Sequence, residues 1–219
     1  NICYSYGVDD QNSLYMEHVD GIKLYDYIKS KSFDFRVYLN VLYSLSDALQ
    51  TAQDMYLFVQ NDLTPWNVIL RHSSLMPVMI DYDKAHVIDD EYIHRGTVNK
   101  YKFSSIQDIV SLVFTSVFQI VSNHTLNAFE LSSVLKIVNF ISNTEFYPGT
   151  FRHIQQVKSY LYSMKKHSSL IYSDKKDLEK LKPIDFMNYL VKTVHHNFPF
   201  EREKAVVKSV PIHRDDYSF

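Results

Sequence analysis

Val59-Gln60-Asn61-Asp62-Leu63-Thr64-Pro65-Trp66-Asn67-Val68-Ile69-Leu70 is the stretch from which the fold is read. It leaves an apolar position, crosses a polar loop that holds Asp62 and Asn67, and ends in the apolar run Val68-Ile69-Leu70. A second run, Val78-Met79-Ile80, follows after Arg71-His72-Ser73-Ser74 and Pro77, so the pair predicts a small hairpin. Asp81-Tyr82-Asp83-Lys84-Ala85 comes directly after it. Three polar side chains, Asp62, Asn67 and Asp81, thereby gather at the base of one hairpin.

Outward from this point the chain is mostly helical. Upstream, Tyr38, Val41, Leu42, Leu45, Leu49, Ala52 and Met55 recur at helical spacing between Asp34 and Tyr56, without Gly or Pro, and predict a long amphipathic helix over a buried layer. Before it, residues 1–18 place short apolar runs around the turn Asp9-Asp10-Gln11-Asn12 and predict two antiparallel strands. Downstream, residues 104–122 carry Ile106, Ile109, Val113, Phe114, Val117 and Val121 on one broad side, with Ser104 or Ser105 as N-cap. Weaker helical patterns cover about 126–142, 150–165 and 184–196, the last behind Pro183 at a permitted first-turn position.

Composition excludes several classes. The 219 residues carry 23 basic and 25 acidic side chains, dispersed along the chain, and so no basic footprint for nucleic acid or an anionic membrane. The most apolar stretch, Ile109 to Val121, is too short to span a bilayer. A single cysteine, Cys3, allows no internal disulfide, so an intracellular, cytoplasmic setting is expected. Asn1-Ile2-Cys3-Tyr4 has neither an initiator Met nor the regions of a signal peptide and reads as an internal cut. The ten His residues show no metal-ligand spacing, and His195-His196 reads as a helix end.

Phosphoryl transfer needs a carboxylate near the attacking hydroxyl, plus an Asn and a second carboxylate to hold Mg²⁺ against phosphates. Asp62, Asn67 and Asp81 could supply that set. At these residues the chain resembles the protein-kinase superfamily, whose catalytic loop reads Asp-Leu, three residues, Asn, and whose metal loop reads Asp-Phe-Gly. The resemblance implies Asp62 as catalytic base, with Asn67 and Asp81 as metal ligands. Leu14-Tyr15-Met16-Glu17-His18-Val19-Asp20-Gly21 is similar to the kinase hinge, which implies that backbone groups of Glu17 and Val19 face adenine and that Met16 borders its pocket. Asp108 resembles the buried Asp that opens the central helix and anchors the catalytic loop. The fold so implied is α+β, mostly α: residues 1–20 end an N-lobe and form the hinge, 21–200 make a helical kinase-like C-lobe with a small catalytic hairpin, and 201–219 are a polar tail or extension.

Each landmark alone has a plainer reading. An Asp and an Asn five apart in a loop are usually turn chemistry, Asp81 could end a strand, Asp108 could sit in a first helical turn, and Met16 and Trp66 would by default be core. It is the ordered set of hinge, long helix, loop, hairpin, Asp81 and Asp108 that carries the resemblance.

The pattern also departs from the family. Glycines occur only at 7, 21, 96 and 149, which excludes a Gly-x-Gly-x-x-Gly phosphate loop, so ATP binding would need the missing N-lobe of the same longer chain. Gln60-Asn61 replaces His-Arg before the base, Thr64 stands where a Lys is usual, and Asp83 where Gly is. Gly96-Thr97 echoes a kinase Gly-Thr pair, but no Ala-Pro-Glu follows. Asn61-Asp62 and Ile80-Asp81-Tyr82-Asp83-Lys84-Ala85 look like choline and aminoglycoside kinases. The leading expectation is an ATP- and Mg-dependent phosphotransferase acting on a protein Ser/Thr hydroxyl, this chain being inactive without the N-lobe. A small-molecule alcohol kinase and a pseudokinase scaffold are the alternatives.

Overall fold

The computed structural model describes residues 3, 5–11, 13–89, 92–95, 104–142, 151–166 and 180–194. The expected tail at 201–219, Gly96-Thr97 and His195-His196 lie outside them. The described chain is α+β and mostly helical, with small antiparallel sheets.

Strands β1 (Ser5–Val8) and β2 (Leu14–Met16) form the expected antiparallel pair, with a register shift between Ser5 and Gly7. Strand β3 (Gly21–Lys23) leads into a short helix α1 (Leu24–Lys29). The hairpin at the chosen stretch is β4 (Val68–Arg71) with β5 (Pro77–Met79), pairing Val68 with Met79 and Leu70 with Pro77. A finding beyond the sequence reading is that β3 adds to its other edge, Gly21 opposite Arg71, making a three-stranded sheet. The hairpin β6 (His86–Asp89) with β7 (Tyr92–Arg95) was likewise not legible in the pattern, nor was α1.

Helix α2 (Phe35–Tyr56) is capped by Asp34, whose side chain accepts from the Arg36 N–H at 2.7 Å, and ends at Leu57 in a left-handed conformation of φ 47°. Its stripe from Phe35 to Ala52 is buried. The stripe stops there: Met55, assigned to it by spacing, is 63% exposed, because the last turn runs out into solvent with Tyr56 and Leu57.

Helix α3 (Gln107–Asn123) is the central element, buried on nearly every side from Asp108 to Val121. Such a helix must satisfy its own polar groups. Ser116 does so by donating to Leu112 O at 2.6 Å while its hydroxyl meets Tyr38 OH at 2.6 Å. Neither Ser104 nor Ser105 caps α3 through its side chain; Ile106 occupies the N-cap, and the Ser105 carbonyl accepts from the Gln53 amide of α2 at 2.7 Å. Helices α4 (Ala128–Ile141), α5 (Ile154–Lys166) and α6 (Pro183–Thr193) match the three weaker patterns and pack around α2 and α3. No helix among the described residues is long and apolar enough to cross a membrane.

The junction of β3 with β4 is close enough to constrain sequence. A Cβ at Gly21 would stand 2.2 Å from the backbone oxygen of Leu70. Gly21→Ala should therefore cost about 1–3 kcal/mol in urea unfolding, while Lys23→Ala, at an exposed position on the same strand, should change stability by less than about 0.5 kcal/mol. Equal midpoints for the two variants would contradict this packing.

Candidate functional site

The loop that enters β4 would not hold its shape by local sequence alone. Asn61 has φ 64° and Asp81 φ 63°, left-handed backbone that Asn and Asp adopt more readily than other non-glycine residues. What holds the first of these turns is Asp108. Its carboxylate, fully buried in the first turn of α3, accepts the Gln60 N–H at Oδ2 and the Asn61 N–H at Oδ1, each at 2.8 Å.

From that anchor two side chains reach across to the segment after β5. The Gln60 amide donates to Ile80 O at 2.6 Å and to Asp81 O at 3.0 Å. The Asn61 amide donates to Lys84 O at 3.0 Å and lies 2.5 Å from His86 Nδ1. Val59 and His86 exchange backbone hydrogen bonds at 3.0 and 2.7 Å. Residues 59–61 and 80–86 are thus tied side by side.

Within this frame Asp62 and Asn67 meet directly. Pro65–Asn67 form one turn of 3₁₀ helix, which turns the Asn67 amide back to donate to Asp62 O at 2.9 Å and, more weakly, to Asp62 Oδ2 at 3.4 Å. Asn67 O accepts the Ile80 N–H at 3.0 Å, so the backbone of Asp81 begins one residue from Asn67. The Asp81 carboxylate is exposed and has no hydrogen-bond or ion partner among the described residues, and the same holds for Asp83. Asp62 differs: its Oδ2 pairs with the Lys84 ammonium at 2.6 Å.

The hinge-like segment sits against the same hairpin. The Glu17 carboxylate pairs with Arg71 of β4 at 2.5 Å, Val19 is buried with Cys3 and Val78, and the Cys3 thiol points to Glu17 O at 3.5 Å. Cys3 N–H donates to Met79 O at 3.1 Å, and Tyr82 OH donates to that same oxygen at 2.5 Å. Met16 is 40% exposed and Trp66 39%, so neither is core; Trp66 instead stacks on Tyr25 of α1 with ring centroids 4.6 Å apart.

No group of three or more His, Cys, Asp and Glu that could hold a metal occurs among the described residues. Asn67 and Asp81 offer side-chain oxygens on adjoining segments, joined by the Ile80 N–H to Asn67 O bond; Mg²⁺ sites that share the ion with substrate phosphates use one or two such protein oxygens. Sequence reasoning named Asp62, Asn67, Asp81 and Asp108 but gave no role to Lys84, to the side chains of Gln60 and Asn61, or to the Glu17–Arg71 pair. Such pairings join residues from separate segments, and spacing carries no signal for them.

No known protein-family profile matches the chain. It is similar to uncharacterized protein 179R of Invertebrate iridescent virus 6, at 26% identity over 247 aligned positions, covering 90% of this chain and 20% of that protein. It is also similar to uncharacterized protein 035R of Invertebrate iridescent virus 3, at 26% over 133 positions, covering 48% of this chain and 12% of that protein. The chain spans at most a fifth of the length of the curated relatives it matches.

Burial raises the Asp108 carboxyl from 3.8 to about 6, the two N–H bonds opposing the rise and the charge on Asp62 adding to it. A folded-state value above the unfolded one means that this group's contribution is full below about pH 4 and is lost as pH rises through about 6. In Asp108→Asn nothing titrates there, so the stability of the wild type minus that of the variant should decline by on the order of 3 kcal/mol between about pH 4 and 7. Asp108→Ala should lose about 1–3 kcal/mol for each N–H left unpaired. Chemical denaturation across this range checks both, and a pH-independent difference would reject a strained buried carboxyl.

Proposed function

We propose that this chain carries the C-terminal lobe of a divergent protein-kinase-type phosphotransferase, dependent on ATP and Mg²⁺ and transferring the γ-phosphoryl group to a Ser/Thr hydroxyl. The observation that carries the reading is the Asp108-anchored loop, with Asp62 and Asn67 in contact and the unpaired Asp81 carboxylate on the adjoining strand exit. A turn that merely connected α2 to β4 would have no need of a fully buried carboxylate beneath it, nor of an exposed Asp in left-handed backbone beside it.

In this reading Asp62 orients the acceptor hydroxyl and takes its proton as the oxygen attacks the γ-phosphorus. The bond from that phosphorus to the bridging oxygen of ADP breaks, and the electron pair leaves with ADP. Asn67 Oδ1 and the Asp81 carboxylate would hold the metal. Mg²⁺, when bound, would supply charge neutralisation at the phosphates. Backbone groups of Glu17 and Val19 would meet adenine, with Met16 at the border of that pocket. The remaining phosphate-binding parts would come from the N-lobe of a longer protein, and an intracellular, cytoplasmic setting belongs to the same proposal.

A small-molecule alcohol kinase is the second reading, and one structural observation favours it. Strands β6 (His86–Asp89) and β7 (Tyr92–Arg95) lie in the short interval between Asp81 and Asp108, which narrows the length left for a peptide-docking segment. A pseudokinase scaffold, which would bind but not transfer, is the third.

In the full-length protein, Asp81→Asn should weaken Mg²⁺-dependent ATP binding by about tenfold or more, equivalent to about 1.4 kcal/mol, read as a thermal shift. Asp62→Asn should leave that shift nearly intact and lower kcat by roughly 10²–10⁴-fold. Transfer is assayed with a Ser/Thr-rich protein, choline and an aminoglycoside. Mg²⁺-dependent binding without transfer to any acceptor would select the scaffold; neither binding nor transfer would defeat the kinase-like reading.

A further inference from the structure

The loop that carries Asp62 has Thr64 two residues on, where kinases of the family it resembles have a lysine, yet a lysine ammonium still stands at the carboxylate. It comes from the opposite segment: Lys84 Nζ is 2.6 Å from Asp62 Oδ2. The placement is built rather than incidental. Lys84 O accepts from the Asn61 amide at 3.0 Å, and the Ala85 N–H closes a turn onto Tyr82 O at 3.0 Å, so the backbone from which the side chain springs is fixed to the Asp62 loop itself. An ion pair whose members are 36% and 22% exposed contributes little to stability, so stability does not account for it.

We infer that Lys84 is a phosphate-binding residue of this site, holding Asp62 in place at rest and bridging it to the γ-phosphoryl group during transfer. The inference rests on the phosphotransferase reading. If Asp62 takes the acceptor proton, its carboxylate lies within a few ångströms of the attacked phosphorus, and an ammonium bonded to that carboxylate needs only a side-chain torsion to reach a phosphoryl oxygen. Three N–H donors on a flexible stem can serve carboxylate and phosphate at once. Asp62, and Asp83 with no partner among the described residues, leave negative charge near the phosphate beyond what the Asp81-held metal would neutralise, so a cation delivered here offsets part of it.

The test uses the full-length protein with Lys84→Met and Lys84→Arg, and it includes a binding readout that needs no turnover. Calorimetric titration with Mg-ATP and Mg-ADP should show the wild type preferring ATP, and Lys84→Met should narrow that preference, because ADP lacks the group that Lys84 contacts. In transfer assays with a Ser/Thr-rich protein, choline and an aminoglycoside, Lys84→Met should lower kcat by about 10²-fold with KM for the acceptor changed little. Lys84→Arg should restore the ATP preference and much of kcat. An unchanged ATP-to-ADP ratio and unchanged kcat in Lys84→Met, with wild-type transfer intact, would overturn the role of Lys84 and leave the transfer reading standing. Equal loss of melting temperature in both variants without rescue by Arg would make Lys84 structural and overturn it as well. A wild type that binds Mg-ATP but transfers nothing still tests Lys84 through the ratio, whereas one that does neither brings down the parent reading and this inference with it.

Discussion

Two hydrogen bonds accepted by one buried carboxylate organise the loop that carries Asp62 and Asn67. Asp108 is in the first turn of the most buried helix, and it accepts the N–H groups of Gln60 and Asn61 just where the chain leaves regular structure. An ionised or half-ionised carboxyl at full burial is costly, and its desolvation is offset only where donors converge on it. The donors here are main-chain groups that a left-handed Asn61 would otherwise leave unpaired. Each side therefore removes the other's penalty, and the loop has one conformation because the alternatives would strand both.

From that point the side chains of Gln60 and Asn61 extend the order outward. Gln60 fixes the carbonyls of Ile80 and Asp81, Asn61 that of Lys84, so the carboxylates of Asp62 and Asp81 stem from backbone held by one network rather than by two independent loops. The Gln60 Oε1 atom is buried without a hydrogen-bond partner among the described residues. That is the cost of a side chain retained for what its amide nitrogen does, since a shorter or apolar residue would release both carbonyls.

How much of this was legible depended on whether the information was local. The stripe from Tyr38 to Ala52, the paired runs of β4 and β5 and Pro183 at the start of α6 are periodic or positional signals, and each produced its element. Met55 and the serines before α3 misled for the same reason: spacing reports which face a residue shares, not where the layer beneath it ends or which carbonyl a distant Gln53 will claim. Asp62, Asn67, Asp81 and Asp108 could be named because they sit at fixed offsets from recognisable elements. Lys84 could not, because its partner lies on another segment and only the folded register of residues 59–61 against 80–86 brings the two together. Trp66 followed the same logic, its ring taken out of the expected core by Tyr25 on a helix too short to show a period.

The small cluster of Cys3, Val19 and Val78 is separate from the large core that α2, α3 and their neighbours share. Among the described residues, the segment before β3 meets the hairpin through that cluster, the Glu17–Arg71 bridge and the bonds meeting at Met79 O, whereas α2, α3 and their neighbours share the large core. A segment seated on a separate, smaller cluster is expected to open at a lower free energy than the large core. Such an opening would leave the Asp108 network intact, since its bonds join Gln60, Asn61 and Asp108 alone, and would give a compliant margin beside that anchored loop. Amide protons of β1 and β2 then report a motion to which those of Gln60 and Asn61 are blind.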